Sequence, residues 1–314
     1  MTRRLVLDVD TGTDDAVAIM FAALHPELEL LGVTTVNGNV PVTNTTDNTL
    51  RVLDWIGRSD IPVYRGLSRP LARNGSPGPR HYERDGKADP HGLALDIPEP
   101  HSSAAGTGAV EFLVETLRTV TDPLTLVAVG PLSNIATALA IDPGLTESVA
   151  ELVIMGGGHA VGNVTASAEF NIWGDPEAAA VVFSAGFERL TLVPLDATHR
   201  ALISRASVDA LGALGTPAGT ACARFIGKRI EAYTAMLPGT DAAPVHDVVC
   251  TACLVRPELI TTEHIPVRVE TTSPLTIGRT VMDRRPHTPD EPTAHVAFDA
   301  DAALLTELLL ETFG

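Results

Sequence analysis

Aromatic side chains make up only 4% of the 314 residues, so aliphatic residues must fill whatever core the chain builds. Three cysteines, Cys222, Cys250 and Cys253, are too few for a disulfide framework. Basic residues are also scarce, 22 Lys and Arg against 39 Asp and Glu, for a formal net charge of −17. That balance lacks the clustered positive charge needed to hold nucleic acid or an anionic membrane surface. No apolar run approaches the roughly 20 residues of a membrane span. At the amino end, Asp8 and Asp10 interrupt the apolar run too early for a signal peptide. The expectation is a soluble cytoplasmic protein with no nucleic-acid and no membrane partner.

What the chain does have is alternation. Leu5 to Val9, Leu30 to Val36, Leu124 to Val129, Glu151 to Met155 and Leu190 to Leu195 read as strands. Helical patterns follow them at Asp14 to Leu24, Val42 to Ile56, Pro131 to Ala140, Pro176 to Ser184 and Ser204 to Leu214. Strands that are apolar throughout and alternate with helices indicate a parallel sheet covered on both faces. Beyond Ile265 extended segments (Val267 to Thr271, Thr280 to Met282, His295 to Phe298) precede a last helix striped with Leu304, Leu305, Leu308 and Leu309. No polar linker and no internal repeat divides the chain, so residues 1–314 are predicted to form a single α/β domain, with a mostly parallel central sheet flanked by helices. The breaker-rich stretch from Arg69 to Ala104, with His81, His91 and His101, reads as a long functional loop inside that domain.

In such sheets ligands sit beyond the carboxyl ends of the strands. The first of those ends reads Asp8-Val9-Asp10-Thr11-Gly12-Thr13-Asp14-Asp15. Helix capping accounts for one or two of these carboxylates. Four in one strand-to-helix turn repel one another, about 1–4 kcal/mol for a bare pair 4 Å apart, and a cation or protons must relieve them. All-oxygen donors suit a hard ion, Ca²⁺ or Mg²⁺. Other motifs fail. Gly12 stands where an aspartyl phosphatase of the haloacid dehalogenase type would want Thr, and Val161 occupies the third glycine position of a dinucleotide fingerprint. Arg229 after Gly227-Lys228 is not the Ser or Thr of a P-loop, and there is no Gly-x-Ser-x-Gly. Cys250-Thr251-Ala252-Cys253 has redox spacing but lies in an apolar helical run, where small buried side chains are expected.

Five segments taken together resemble the nucleoside hydrolases, the calcium-dependent N-ribohydrolases of the inosine–uridine-preferring type. They are Asp8 to Ala16, Thr34 to Asn39, Val129 to Ala136, Met155 to Gly158 with Asn163 and Glu169 to Asn171, and His246-Asp247. The resemblance implies an open, Rossmann-like nucleoside hydrolase fold and a place in nucleoside salvage, in purine or pyrimidine metabolism. It further implies Ca²⁺ held by Asp10, Asp15 and Asp247 with the Val129 carbonyl, and ribose held by Asp14, Asn39, Met155, Asn163, Glu169 and Asn171. Asp10 would deprotonate a water activated at the metal, and His246 would assist the leaving base. His81, His91, Phe225, Arg229 and Tyr233 are candidates for the base pocket, whose loops are expected around Arg69 to Ala104 and Ala221 to Asp241. The family also implies a homo-oligomer, dimer or tetramer.

The chemistry fits those roles. Cleaving an N-glycosidic bond builds positive charge on the sugar, and surrounding carboxylates stabilise that charge as it develops. A departing base needs a hydrogen-bond donor, and histidine titrates in the right range. Hydrolysis of ribonucleosides to ribose and free base is therefore the leading expectation. Two alternatives stay open: a hydrolase of another N-riboside, such as a modified nucleoside or nicotinamide riboside, and a non-catalytic Ca²⁺-dependent nucleoside or ribose binder.

Overall fold

In the first strand, β1 (Arg3–Val9), Leu5, Leu7 and Val9 project to one face and are fully buried. The computed structural model describes residues 2–73 and 91–314. After β1 come α1 (Thr13–Leu24), β2 (Leu28–Thr35), α2 (Val42–Trp55) and β3 (Val63–Arg65). A second series runs through α3 (Ala109–Thr119), β4 (Leu124–Ala128), α4 (Ser133–Ile141) and β5 (Val149–Met155). Two short helices, α5 (Phe170–Gly174) and α6 (Pro176–Phe183), then lead to β6 (Leu190–Val193). The middle of the chain holds α7 (Leu195–Thr198), β7 (Leu202–Ser204), α8 (Arg205–Ala213), α9 (Pro217–Met236), β8 (Ala242–Pro244) and α10 (Val248–Ala252). It closes with β9 (Ile260–Ile265), β10 (Val267–Val269), β11 (Thr280–Met282), β12 (Ala294–Ala300) and α11 (Ala302–Phe313).

Eight strands form one sheet in the order β3-β2-β1-β4-β5-β6-β12-β9. All neighbours pair in parallel except β12 with the edge strand β9. The pairs β7–β8 and β10–β11 are small antiparallel sheets of their own. One core packs α1, α2, α8, α9, α10 and α11 against one face of the sheet, and a second packs α3, α4 and α6 against the other. Helix α1 is buried from Thr13 to Ala23, which explains why its sequence is apolar on every side. Strand order reverses at β1, between β2 and β4, and the carboxyl ends of the strands there are where ligands bind in open α/β sheets.

This is the single mostly parallel α/β domain that the alternation predicts. The segment from Ala221 to Asp241 differs from expectation: up to Met236 it is not loop but helix α9. Thr216 caps it by accepting from the Gly219 N–H, Pro217 starts it, and Cys222, Phe225, Ile226 and Ile230 recur at helical spacing in the core. Short β3 and the edge strand β9, exposed at four consecutive positions, lack the apolar run by which the inner strands are recognised. Among the described residues no helix is long and apolar enough to cross a membrane.

Candidate active site

Beyond Val9 the chain turns from β1 into α1, and Asp15 shapes the turn. Its Oδ1 accepts from the Asp10 N–H at 3.1 Å and its Oδ2 from the Gly12 N–H at 2.9 Å, so it caps its own helix. Gly12 has no room for a side chain, because a Cβ there would lie 2.1 Å from the His91 ring. Asp10 is directed to the end of β2, where its Oδ2 accepts from the Asn39 N–H at 2.6 Å. The Asn39 amide in turn donates to Asp15 Oδ2 at 3.2 Å. Gly38 is as constrained as Gly12, with Asp10 Oδ2 only 2.0 Å from where its Cβ would be.

Asp14 faces the other way, toward residues from distant parts of the chain. Arg229, 4% exposed on α9, brings its Nη1 to 3.0 Å from Asp14 Oδ1 and donates through Nε to the Pro244 carbonyl. His91 Nδ1 lies 3.8 Å from the same oxygen and accepts from the Thr13 N–H. Just before α10, His246 Nδ1 is 2.8 Å from Thr198 Oγ1, and its ring centroid is 5.6 Å from that of His199. Asp247 follows, 3% exposed, and one carboxylate oxygen each from Asp14, Asp15 and Asp247 lie within 4.8 Å of one another.

These buried carboxylates have very different proton affinities. Burial first, then the charge of Asp15, drives Asp10 well above the ordinary carboxylate range, although the Asn39 N–H favours its ionised form. Burial, then repulsion from Asp14, Asp15 and Asp10, does the same to Asp247. Asp15 rises to about 6 through burial and the charge of Asp14, with the Gly12 and Asp10 N–H groups opposing. Asp14 alone falls, to about 2, because Arg229, His91 and His246 outweigh the cost of its burial.

The donor set fits a hard divalent cation. Every donor is an oxygen, the three carboxylates are buried at ligand spacing, and their mutual repulsion is what a bound cation would relieve. Among the described residues Asp14 Oδ1 accepts no hydrogen bond, despite its nearness to Arg229. Asp8 stands apart from this group. Its Oδ1 accepts from Thr34 Oγ1 at 2.5 Å and from Asn134 Nδ2 at 2.8 Å, and burial lifts it to about 7. It ties β1 to β2 and α4.

The glycine-rich segment after β5 supplies the second wall. Glu169 caps α5, with its carboxylate accepting from the N–H groups of Asn171 and Ile172 and, at 2.9 Å, from that of Gly157. Asn171 Nδ2 donates to the carbonyls of Val129 at 2.8 Å and Met155 at 3.2 Å, so it joins the ends of β4 and β5. Asn163 is exposed, and its Oδ1 accepts from the Phe170 N–H. Of the base-pocket candidates, His91 and Arg229 reach Asp14, Phe225 is buried in the core at 2% exposed, and Tyr233 packs at the edge of that core. His81 lies outside the described residues. Cys250 and Cys253 are both buried, as small side chains in a helical run would be.

Sequence reasoning overlooked Thr198 and Thr280, whereas Asp196 was legible. Asp196 carried a signal, being the polar residue just after β6. Thr198 and Thr280 carried none, since threonine has no pattern that marks it for a particular contact.

Comparison with known proteins follows the geometry. The family profile described as inosine-uridine preferring nucleoside hydrolase matches residues 5–307. A pyrimidine-specific ribonucleoside hydrolase RihA from Enterobacter sp. (strain 638) is 39% identical over 311 residues, which is 99% of this chain and 97% of the relative. A RihA from Shewanella baltica is 38% identical over 99% of this chain and 96% of its own. Among solved structures, a purine-preferring ribonucleoside hydrolase from Gardnerella vaginalis superposes with a TM-score of 0.88 at 31% identity, covering 99% of this chain and 98% of that one. A plant nucleoside hydrolase gives a TM-score of 0.89 at 29% identity, covering 100% and 99%.

Proposed function

The chain belongs to the inosine-uridine preferring nucleoside hydrolases and is a ribonucleoside N-ribohydrolase, and on that premise we propose that it cleaves pyrimidine ribonucleosides with Ca²⁺ bound among Asp10, Asp15, Asp247 and the Val129 carbonyl. The observation that carries this reading is the buried carboxylate group at the switch point of the sheet: Asp15 and Asp247 lie at ligand spacing with Asp14, Asp14 is already paired with Arg229, and Asp10, outside that trio, is bonded through its N–H to Asp15. The ordinary carbonyl chemistry of Val129 also suits the role, since its oxygen has a second lone pair beyond the bond from Asn171. When bound, the cation would hold the ribose diol and make an attacking water more acidic.

The remaining work falls to side chains. Asp10 takes the proton of the attacking water, the task of a general base. Asp14, Asn39, Asn163, Glu169 and Asn171 hold the ribose hydroxyls, with Met155 alongside the sugar. Positive charge growing on the ribose meets a wall of carboxylates, which favours the transition state over the neutral substrate. His246, oriented by Thr198, donates a hydrogen bond to the departing base. The preference for pyrimidines follows the relatives at 38–39% identity, which bear that name, over the purine-preferring neighbour at 31%.

The test is base release by chromatography from uridine, cytidine, inosine and adenosine, with EDTA and with Ca²⁺ restored. Chelator-sensitive release of base and ribose, fastest from uridine and cytidine, is the expected result. Faster purine release would reverse the base preference alone. Calcium-dependent nucleoside binding with no release would overturn the hydrolytic reading in favour of a binder.

A further inference from the structure

Four consecutive backbone N–H groups after β5, those of Gly157, Gly158, His159 and Ala160, are each taken by a side chain from elsewhere in the fold. Glu169 accepts from Gly157 at 2.9 Å. Thr280 Oγ1 accepts from Gly158 at 2.9 Å and donates to the Gly158 carbonyl at 3.1 Å. Asp196 accepts from His159 at 2.6 Å and from Ala160 at 3.0 Å. Three elements, α5, β11 and α7, thus grip one short loop.

The glycines make this grip possible. Gly157 has φ +73°, and a Cβ on it would lie 2.7 Å from the Thr280 side chain. A Cβ on Gly158 would lie 1.9 Å from the Val161 carbonyl oxygen. Thr280 is 1% exposed, so no water stands ready to replace its hydroxyl. It comes from the β10–β11 hairpin, which shares no motif with the catalytic segments.

We propose that Thr280 is a positioning residue for the substrate: its hydroxyl locks Gly158 and, through the adjacent Gly157–Glu169 bond, sets the Glu169 carboxylate and Met155 against the ribose. Asp196 holds the far side of the same loop. This inference rests on the assignment of Glu169 and Met155 to the ribose. Valine at position 280 keeps the shape but leaves the Gly158 N–H and carbonyl unpaired in a buried place, whereas serine keeps both bonds.

The experiment compares the parent with Thr280→Val and Thr280→Ser by steady-state kinetics on the best nucleoside, and by amide hydrogen exchange of residues 156–160. Thr280→Val is expected to raise KM about tenfold with kcat changed less than threefold, and to speed exchange of that segment at least tenfold while α1 stays protected. Thr280→Ser is expected to stay within about twofold of the parent in KM. An unchanged KM, or unchanged exchange at 156–160, overturns the proposal. So does a fall in activity that only tracks the fraction of folded protein. If the parent releases no base, the hydrolytic reading fails separately, and ribose affinity measured by calorimetry replaces KM: an unchanged ribose affinity in Thr280→Val then overturns the proposal, and a tenfold loss supports it.

Discussion

Asp10, Asp14 and Asp15 lie within six residues of one another and carry the same side chain, yet their surroundings pull their proton affinities apart. The difference comes from which partner each can reach. Asp14 meets the guanidinium of Arg229, contributed by a helix more than 200 residues along the chain, and that charge holds it ionised. Asp15 is solvated by backbone N–H groups of its own turn, an arrangement that costs nothing beyond local folding. Asp10 has one strong N–H donor, from Asn39, and otherwise faces other carboxylates. Asp10→Asn retains an oxygen that can accept the Asn39 bond but cannot take a proton from water. At saturating Ca²⁺, which offsets the lost cation ligand, its kcat is expected to fall by about 10²–10⁴, the usual worth of a general base, with nucleoside KM changed only a few-fold. Steady-state kinetics decide this; a kcat within tenfold of the parent would remove Asp10 from that role.

At the scale of elements, the two ends of the sheet do different work. The carboxyl ends carry the carboxylates, and the turns after β1, β2, β4 and β5 hold Gly12, Gly38, Gly130 and Gly156 to Gly158, where a Cβ would meet side chains or backbone crowding in. At the opposite end Glu151 on β5 bonds Arg3 from β1, Thr191 from β6 and Arg189 just before β6, so it ties three strands together. Burial pulls Glu151 upward, but Thr191, Arg189 and Arg3 prevail and hold it below its ordinary value of 4.5. A carboxyl held low in the folded state adds stability above its unfolded pKa, and that stability is lost as pH falls from about 4.5 through the folded value. Glu151→Gln is expected to cost about 1–2 kcal/mol at pH 7, since both arginines are partly solvated, and to shrink the difference from the parent below pH 4.5. Urea unfolding at pH 7 and pH 4 measures it, and an equal loss at both values would contradict the assigned role.

For the molecule as a whole, the carboxylate cluster is a liability that a bound cation would turn into stability. Asp10, Asp15 and Asp247 come from both ends of the chain, and without a cation their burial must be balanced by protonation or by the rest of the core. A cation that binds only the folded state stabilises it by mass action, about 2.7 kcal/mol at a hundredfold excess over its Kd. Calorimetry is therefore expected to show Tm rising by several degrees from EDTA to millimolar Ca²⁺, and rising with Ca²⁺ concentration. Equal Tm values in both conditions would argue against a cation at this site. The effect should be largest at neutral pH and shrink in acid, where protons occupy the carboxylates in the metal's place.

The alternation of apolar strands with helices was legible because both faces of the inner strands are covered, which demands unbroken apolar runs such as Leu5 to Val9. The carboxylate turn was legible for a different reason: four acids at one strand end have no cheap explanation without a cation or protons. Edge strand β9 was not legible, because a strand paired on one side only needs no such run. Nor could sequence order say that Asp8 would be drawn to Thr34 and Asn134 while Asp247 joined Asp14 and Asp15. Those partnerships depend on which loops the sheet brings to one edge. Arg229 on Asp14 and Thr280 on the glycine loop are the clearest cases, since each bond joins segments more than 100 residues apart. Local pattern determined the elements and the carboxylate-rich turn; packing alone decided which charges would meet.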